Sequence, residues 1–311
     1  MDGEVASVTA TVKELQSDHS RLFRLGKRSF VSVYPVLSRR AGGISVGVNL
    51  NLDRGCNFDC IYCQVDRKSP PAPSPVALRD LPGLVLEELS LLFDSVVEGA
   101  FFSTPPFDAL PDSLRSVRDI AFSGDGEPTL SPVFSEVAAE VRRFVSERFP
   151  ASSSPILRLI TNGTGLFGEE LRRRTEKIFL QAGPGEIWLK FDAATDPFYS
   201  RIDRSHIPLA RMKEGLSEIV RDLPVTLQTM VLDFGEPGSP GAFVSDRAFW
   251  DPLLAQVATW CETGGKIREW HLYGVARPPA LSGVRAVEDS RLLEWAKEAS
   301  LRLSLPVKVF S

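Results

Sequence analysis

Apolar residues in this chain gather in short runs, and between the runs they recur at three- and four-residue spacing. The runs at 44–52, 120–123, 156–161, 186–191, 225–232 and 269–275 predict six β-strands. After the second run, Phe134, Val137, Val141, Phe144 and Val145 fall on one helical face. After the fourth, Leu209, Met212, Leu216, Ile219, Val220 and Leu223 do the same, and Pro208 suits the first turn of that helix. Alternating strands and helices predict an α/β fold: a parallel sheet with helices outside it, as an open sheet or a partial barrel. Such folds keep their chemistry at the C-terminal ends of the strands.

Two stretches break the rhythm. KSPPAPSP, 68–75, is too rich in proline for a helix and reads as a stiff surface loop. FFSTPPFDALPDSLRSVRD precedes the second strand as an insertion. The residues before the first strand are expected to form a short helix and an extended segment packed on the sheet. No internal repeat is visible.

Hydrophobic residues make up 43% and charged residues 24% of 311, so the chain can bury a large core. No apolar run reaches bilayer length and the N-terminus lacks a signal-peptide pattern, so no membrane is expected and the cytoplasm is the default. A net charge of −4 argues against a broad nucleic-acid surface, though a local basic patch is compatible with it.

Three of the four cysteines, Cys56, Cys60 and Cys63, lie within GCNFDCIYCQ, just past the first strand. In a reducing compartment clustered thiols point to metal or redox work. Structural zinc needs a fourth ligand at suitable spacing, and neither Cys261 nor His19, His206 or His271 provides it. An iron–sulfur cluster takes thiolates, while a chance group of buried thiols is the bland alternative. Cys261 has helical apolar neighbours and is expected to pack in the core. Three ligands on a four-iron cluster leave one iron open, as a catalytic metal site keeps a position for an exchangeable ligand.

CNFDCIYC, with its CxxxCxxC spacing, resembles the signature of the radical S-adenosylmethionine (SAM) superfamily. FSGDGEPTL, at the end of the second strand, resembles that superfamily's Gly-rich segment, which binds the amino group of SAM. LITNGT, WLKFDAATDPFYSRIDR, LQTMVLDFG and HLYGVARPP are similar to segments of the branch related to tRNA wyosine-base synthases. The resemblance runs from about residue 46 to 279 and implies a partial (β/α)6 TIM-like barrel, with 1–43 as an extension packed on it and 44–311 as the core domain.

It further implies that Cys56, Cys60 and Cys63 ligate a [4Fe-4S] cluster whose open iron takes SAM. An electron from an external donor of flavodoxin or ferredoxin type would then cleave SAM to a 5′-deoxyadenosyl radical. Tyr62 is expected near the adenine, and Gly124, Asp125, Gly126 and Glu127 near the methionine moiety, with the Glu127 carboxylate facing its ammonium. Asn162, Asp192, Gln228 and Tyr273 end strands or follow them and are candidates for the cofactor. Lys190 and Asp192 share a strand face and are the catalytic candidates. Lys190, flanked by Leu189 and Phe191, is expected to pair with a carboxylate or to form a Schiff base. Arg277 is a candidate anion contact, and His271 is expected to be structural.

The chain departs from the wyosine synthases in having no second cysteine group and in reading Asp203-Arg204-Ser205 where they have Asn-Arg-Pro. The SAM chemistry therefore carries over with the substrate open. One alternative is an RNA-modifying enzyme of wyosine type with Arg172 to Arg174, Arg201 and Arg204 as its footprint. The other is a non-catalytic Fe-S electron carrier.

Overall fold

The computed structural model describes residues 23–67, 74, 76–236, 238–239 and 242–310. The stretch expected to form a short N-terminal helix and nearly all of the 68–75 segment fall outside the described residues. Two compact units are distinguished: Met1–Gly55 with Ala72–Leu159 and Lys177–Gly185, and Cys56–Pro71 with Ile160–Glu176 and Glu186–Ser311.

The first unit opens with a hairpin of β1 (Arg24–Leu25) and β2 (Arg28–Ser29), which Gly26 turns at a φ of +60°. It continues with β3 (Val33–Ser38), β4 (Gly43–Val48), β5 (Val117–Phe122) and β6 (Ile156–Thr161), whose last two residues pass into the second unit. β3 runs antiparallel to β4, while β4, β5 and β6 pair in parallel. The Tyr34 ring lies across β4 where Gly47 has no side chain, since a Cβ there would come 2.2 Å from it.

Helix α1 (Leu81–Val97) follows β4, and α2 (Phe134–Arg148) follows β5. Phe134, Val137, Val141 and Val145 are buried as their spacing predicts, and Phe144 is half-buried against Phe93. The insertion folds into three short 3-10 turns whose Phe101 and Phe107 stack at 4.6 Å beside Phe23. A single carboxylate ties α1 to the chain ahead of β3. Glu88, buried in the helix, accepts from the backbone N–H groups of Val31, Ser32 and Val33 at 2.7, 2.9 and 2.8 Å.

The second unit holds α3 (Glu169–Glu176), all but the first residue of β7 (Gly185–Lys190), α4 (Asp196–Ile202), α5 (Leu209–Asp222), β8 (Val225–Met230) and β9 (Leu232–Phe234). It goes on to α6 (Arg247–Glu262), β10 (Ile267–Tyr273), β11 (Val284–Ala286), α7 (Asp289–Leu303) and β12 (Val307–Phe310). β7, β8, β10 and β12 pair in parallel in that order, and β9 and β11 make a separate antiparallel pair. The α5 face expected from the sequence is buried, and Trp250 stacks between Trp270 and Trp295 at 5.2 and 4.8 Å.

The fold is therefore α/β, with β4, β5, β6, β7, β8 and β10 each followed by helix in the (β/α)6 connectivity expected. The 225–232 run is a correction: β8 ends at Met230, and Leu232 begins a strand that pairs with β11 instead. Cys261 lies in α6 as expected but is half-buried near its end. Among the described residues no helix is long and apolar enough to cross a membrane.

Glu88→Ala should leave two buried N–H groups and a half-buried one without an acceptor. At about 1–3 kcal/mol for each buried group, a loss of at least about 2 kcal/mol is expected in denaturant unfolding. A loss under about 1 kcal/mol would show that water replaces the carboxylate.

Candidate active site

Cys56, Cys60 and Cys63 sit in a loop with no regular structure, so its backbone groups must find partners elsewhere. Helix α4 supplies them. Arg204 adopts a left-handed conformation, φ +49°, just past the helix end. The carbonyls of Ile202 and Asp203 accept from Ile61 N at 2.9 Å and Asp59 N at 3.1 Å. Ser205 Oγ donates to the Asn57 carbonyl at 3.2 Å, and Arg204 lies 3.7 Å from Asp59. The segment from Ile202 to Ser205 is thus the seat of the cysteine loop. Asn162 anchors it too: its Nδ2 donates to Asn57 Oδ1 at 2.9 Å, while its Oδ1 accepts from Thr164 N and Oγ1.

All three thiols line one cavity of about 320 Å³, with Arg67, Arg204 and His206 among its other walls. That volume is at the lower end of small-molecule sites. Arg67 Nη2 lies 3.7 Å from Cys63 Sγ, and Asp203 Oδ1 lies 3.9 Å from Cys60 Sγ. Burial pushes the Cys60 thiol well above its usual range, and Asp203 and Asp192 push the same way. Burial, followed by Asp192, raises the Asp203 carboxyl.

Among the described residues no three acidic, histidine or cysteine side chains form a ready ligand set for a single ion. Three cysteine thiols on the wall of one cavity are the ligand type that an iron–sulfur cluster takes.

A second polar group lies in the same unit. Asp192 accepts from Tyr62 Oη at 2.5 Å and Met230 N at 2.7 Å, and lies 3.0 Å from Lys190 Nζ. Lys190 also donates to Tyr273 Oη and stands 4.8 and 4.5 Å from the ring centres of Tyr62 and Tyr273. The carboxylate partner expected for Lys190 is therefore Asp192. Burial, then Asp192, holds the Tyr62 phenol well above its usual range. Gln228 is fully buried and bonds His271 Nδ1 at 3.0 Å, while His271 Nε2 meets Glu269 at 2.6 Å, so His271 has a partner on each ring nitrogen.

In the first unit, Gly124 to Glu127 follow β5. Asn49 Oδ1 accepts from Asp125 N at 3.1 Å and Asn51 N at 3.0 Å, while its Nδ2 donates to Asp125 Oδ2 at 2.7 Å. Glu127 is buried and caps the turn Pro128–Leu130, its Oε1 accepting from Thr129 N at 3.1 Å and Thr129 Oγ1 at 2.5 Å. A Cβ on Gly124 would come 2.4 Å from Asn49 Oδ1, and one on Gly126 would come 1.8 Å from the Gly55 carbonyl. Both glycines are required by the fold itself.

Arg172 was a candidate for an RNA footprint, but it is buried and held by Asp222 at 2.8 Å and Glu218 at 3.3 Å. Arg173 and Arg174 pair with Glu170 along their own helix at 2.9 and 2.7 Å. Arg277 is half-buried. Sequence reasoning did not single out Asn49, Asn57 or Arg67. For Asn49 the signal was a polar residue inside an otherwise apolar run.

No protein-family model matches the chain. Among curated proteins it is similar to the GTPase Obg of Brachyspira hyodysenteriae, 24% identical over 138 residues that cover 44% of this chain and 16% of that protein. It is also similar to the UPF0026 protein MJ1312 of Methanocaldococcus jannaschii, 25% identical over 191 residues, 58% of this chain and 47% of that protein. The chain spans less than half the length of either, and it carries no GxxxxGK[ST] phosphate loop.

Similar solved structures are one of TYW1 with a lysine-pyruvate adduct bound and one of archaeal TYW1. The first has a TM-score of 0.48 at 17% identity and covers 84% of this chain and 74% of that one. The second has a TM-score of 0.44 at 14% identity and covers 85% and 73%.

Gly126→Ala should lower stability by about 1–3 kcal/mol, the usual range for an overpacked site. Gly168→Ala, where an added Cβ meets nothing within 4 Å, should be near neutral in the same unfolding assay. Equal stability of the two variants would show that the Gly55 backbone yields freely.

Proposed function

We propose that the chain is a radical SAM enzyme, in which Cys56, Cys60 and Cys63 hold a [4Fe-4S] cluster and Gly124 to Glu127 contribute to binding SAM. The observation that carries this reading is three thiols lining one cavity, with the only other cysteine, Cys261, absent from its walls. When bound, the cluster and SAM supply a 5′-deoxyadenosyl radical after one-electron reduction by a flavodoxin- or ferredoxin-type donor. The protein's own part is to hold the loop rigid through Ile202, Asp203, Ser205 and Asn57, and to present polar groups from buried surroundings.

Lys190 and Asp192 face the substrate in this proposal. Asp192 fixes the ammonium, and the Tyr62 and Tyr273 rings confine it. A confined cation of this kind suits a substrate bearing an anionic or carbonyl group. Asn162 acts on the loop through Asn57, and Gln228 positions His271.

The test is anaerobic reconstitution, with iron counted per chain and 5′-deoxyadenosine measured after dithionite reduction with SAM. Alanine at Cys56, Cys60 or Cys63 should abolish or badly deplete bound iron, whereas Cys261→Ala should retain it. Loss of the cluster in Cys261→Ala would mean four protein ligands and no open iron.

Calorimetry separates the cofactor from the substrate side. Glu127→Gln keeps a carbonyl to cap Thr129 but loses the charge, and should weaken SAM binding about tenfold. Lys190→Met should leave SAM affinity within about twofold of the parent. The reverse result would put SAM on Lys190.

A further inference from the structure

We propose that Arg67 sets the reduction potential of the cluster held by Cys56, Cys60 and Cys63, an inference that rests on the functional reading above. Arg67 lines the same cavity as the three thiols, and its Nη2 lies 3.7 Å from Cys63 Sγ. A guanidinium carries positive charge and only donates, so this contact sets a cation with an N–H directed at a ligand sulfur. Donation to a cluster's ligand sulfur draws electron density from the iron and stabilises the reduced, more negative state, which raises the potential.

The local surroundings give this cation its weight. Asp59 and Asp66 line the cavity, and Asp203 lies 3.9 Å from Cys60 Sγ. Carboxylates beside a cluster act in the opposite sense, because adding an electron near them is unfavourable. Arg204 and His206 also line the cavity, and Arg204 lies 3.7 Å from Asp59. Arg67 itself reaches a thiol, that of Cys63. It is a positioning and tuning residue and carries out no step of the reaction.

The experiment is a redox titration followed by electron paramagnetic resonance on the full reconstituted chain without SAM, with iron counted in each sample. Arg67→Leu should lower the midpoint by about tenfold in the reduction equilibrium, which is about 59 mV for one electron. Arg67→Gln, which keeps an N–H and loses the charge, should fall between it and the parent. Arg221→Leu, at a residue that does not line the cavity, should leave the potential unchanged.

Equal iron loading with an unchanged midpoint in both Arg67 variants overturns the proposal and leaves the functional reading intact. Absence of cysteine-dependent iron in the parent overturns that reading itself. Should Arg67→Leu fail to load, the shift or constancy of Arg67→Gln decides.

Discussion

The end of helix α4 is the constraint on which the candidate site depends. A helix finishes with carbonyls that have no partner within it, and a loop without regular structure begins with N–H groups in the same position. Here the two deficits meet: Ile202 and Asp203 offer oxygens, and Ile61 and Asp59 offer hydrogens. The left-handed turn at Arg204 ends the helix where those carbonyls are needed. The cysteine loop gains much of its path from backbone partners, and the side chains of Asn57 and Asp59 add ties to Asn162 and Arg204, while the three thiols line a cavity.

Asp192 makes a second join of the same kind. Its carboxylate takes a phenol from the cysteine loop, a backbone N–H from β8 and the ammonium of Lys190 on β7. A buried carboxylate is costly unless its oxygens are satisfied, and these donors satisfy them. The consequence is geometric as well as energetic, since Tyr62 cannot shift without unsettling Lys190. Loop and strand ends are thereby coupled through one side chain.

Much of this was legible in the sequence where a pattern repeats or a residue type is unusual. The six strand–helix steps followed from apolar spacing, and the paired Lys190 followed from a charge set among apolar neighbours. What escaped has physical causes. The seat of the cysteine loop uses backbone atoms of Ile202 and Asp203, which no side-chain pattern encodes. Asn49 looked like part of a strand because it extends an apolar run, yet its amide organises the segment from Asp125. Arg172 sat in a basic run that reads as surface, but its partners Asp222 and Glu218 lie about fifty residues away and only the fold unites them.

The Gly124 to Glu127 segment shows how a motif and a packing requirement occupy the same residues. Glycine next to a cofactor is ordinarily explained by the close approach of the cofactor. Here the approach that forbids a side chain is that of Asn49 and the Gly55 backbone, so the two glycines are needed whether or not anything binds. Asp125 is committed to Asn49, and one oxygen of Glu127 to the turn at Thr129. Glu127 is likewise tied to the protein through its cap on the turn, so the segment is a built part of the fold before any ligand is considered.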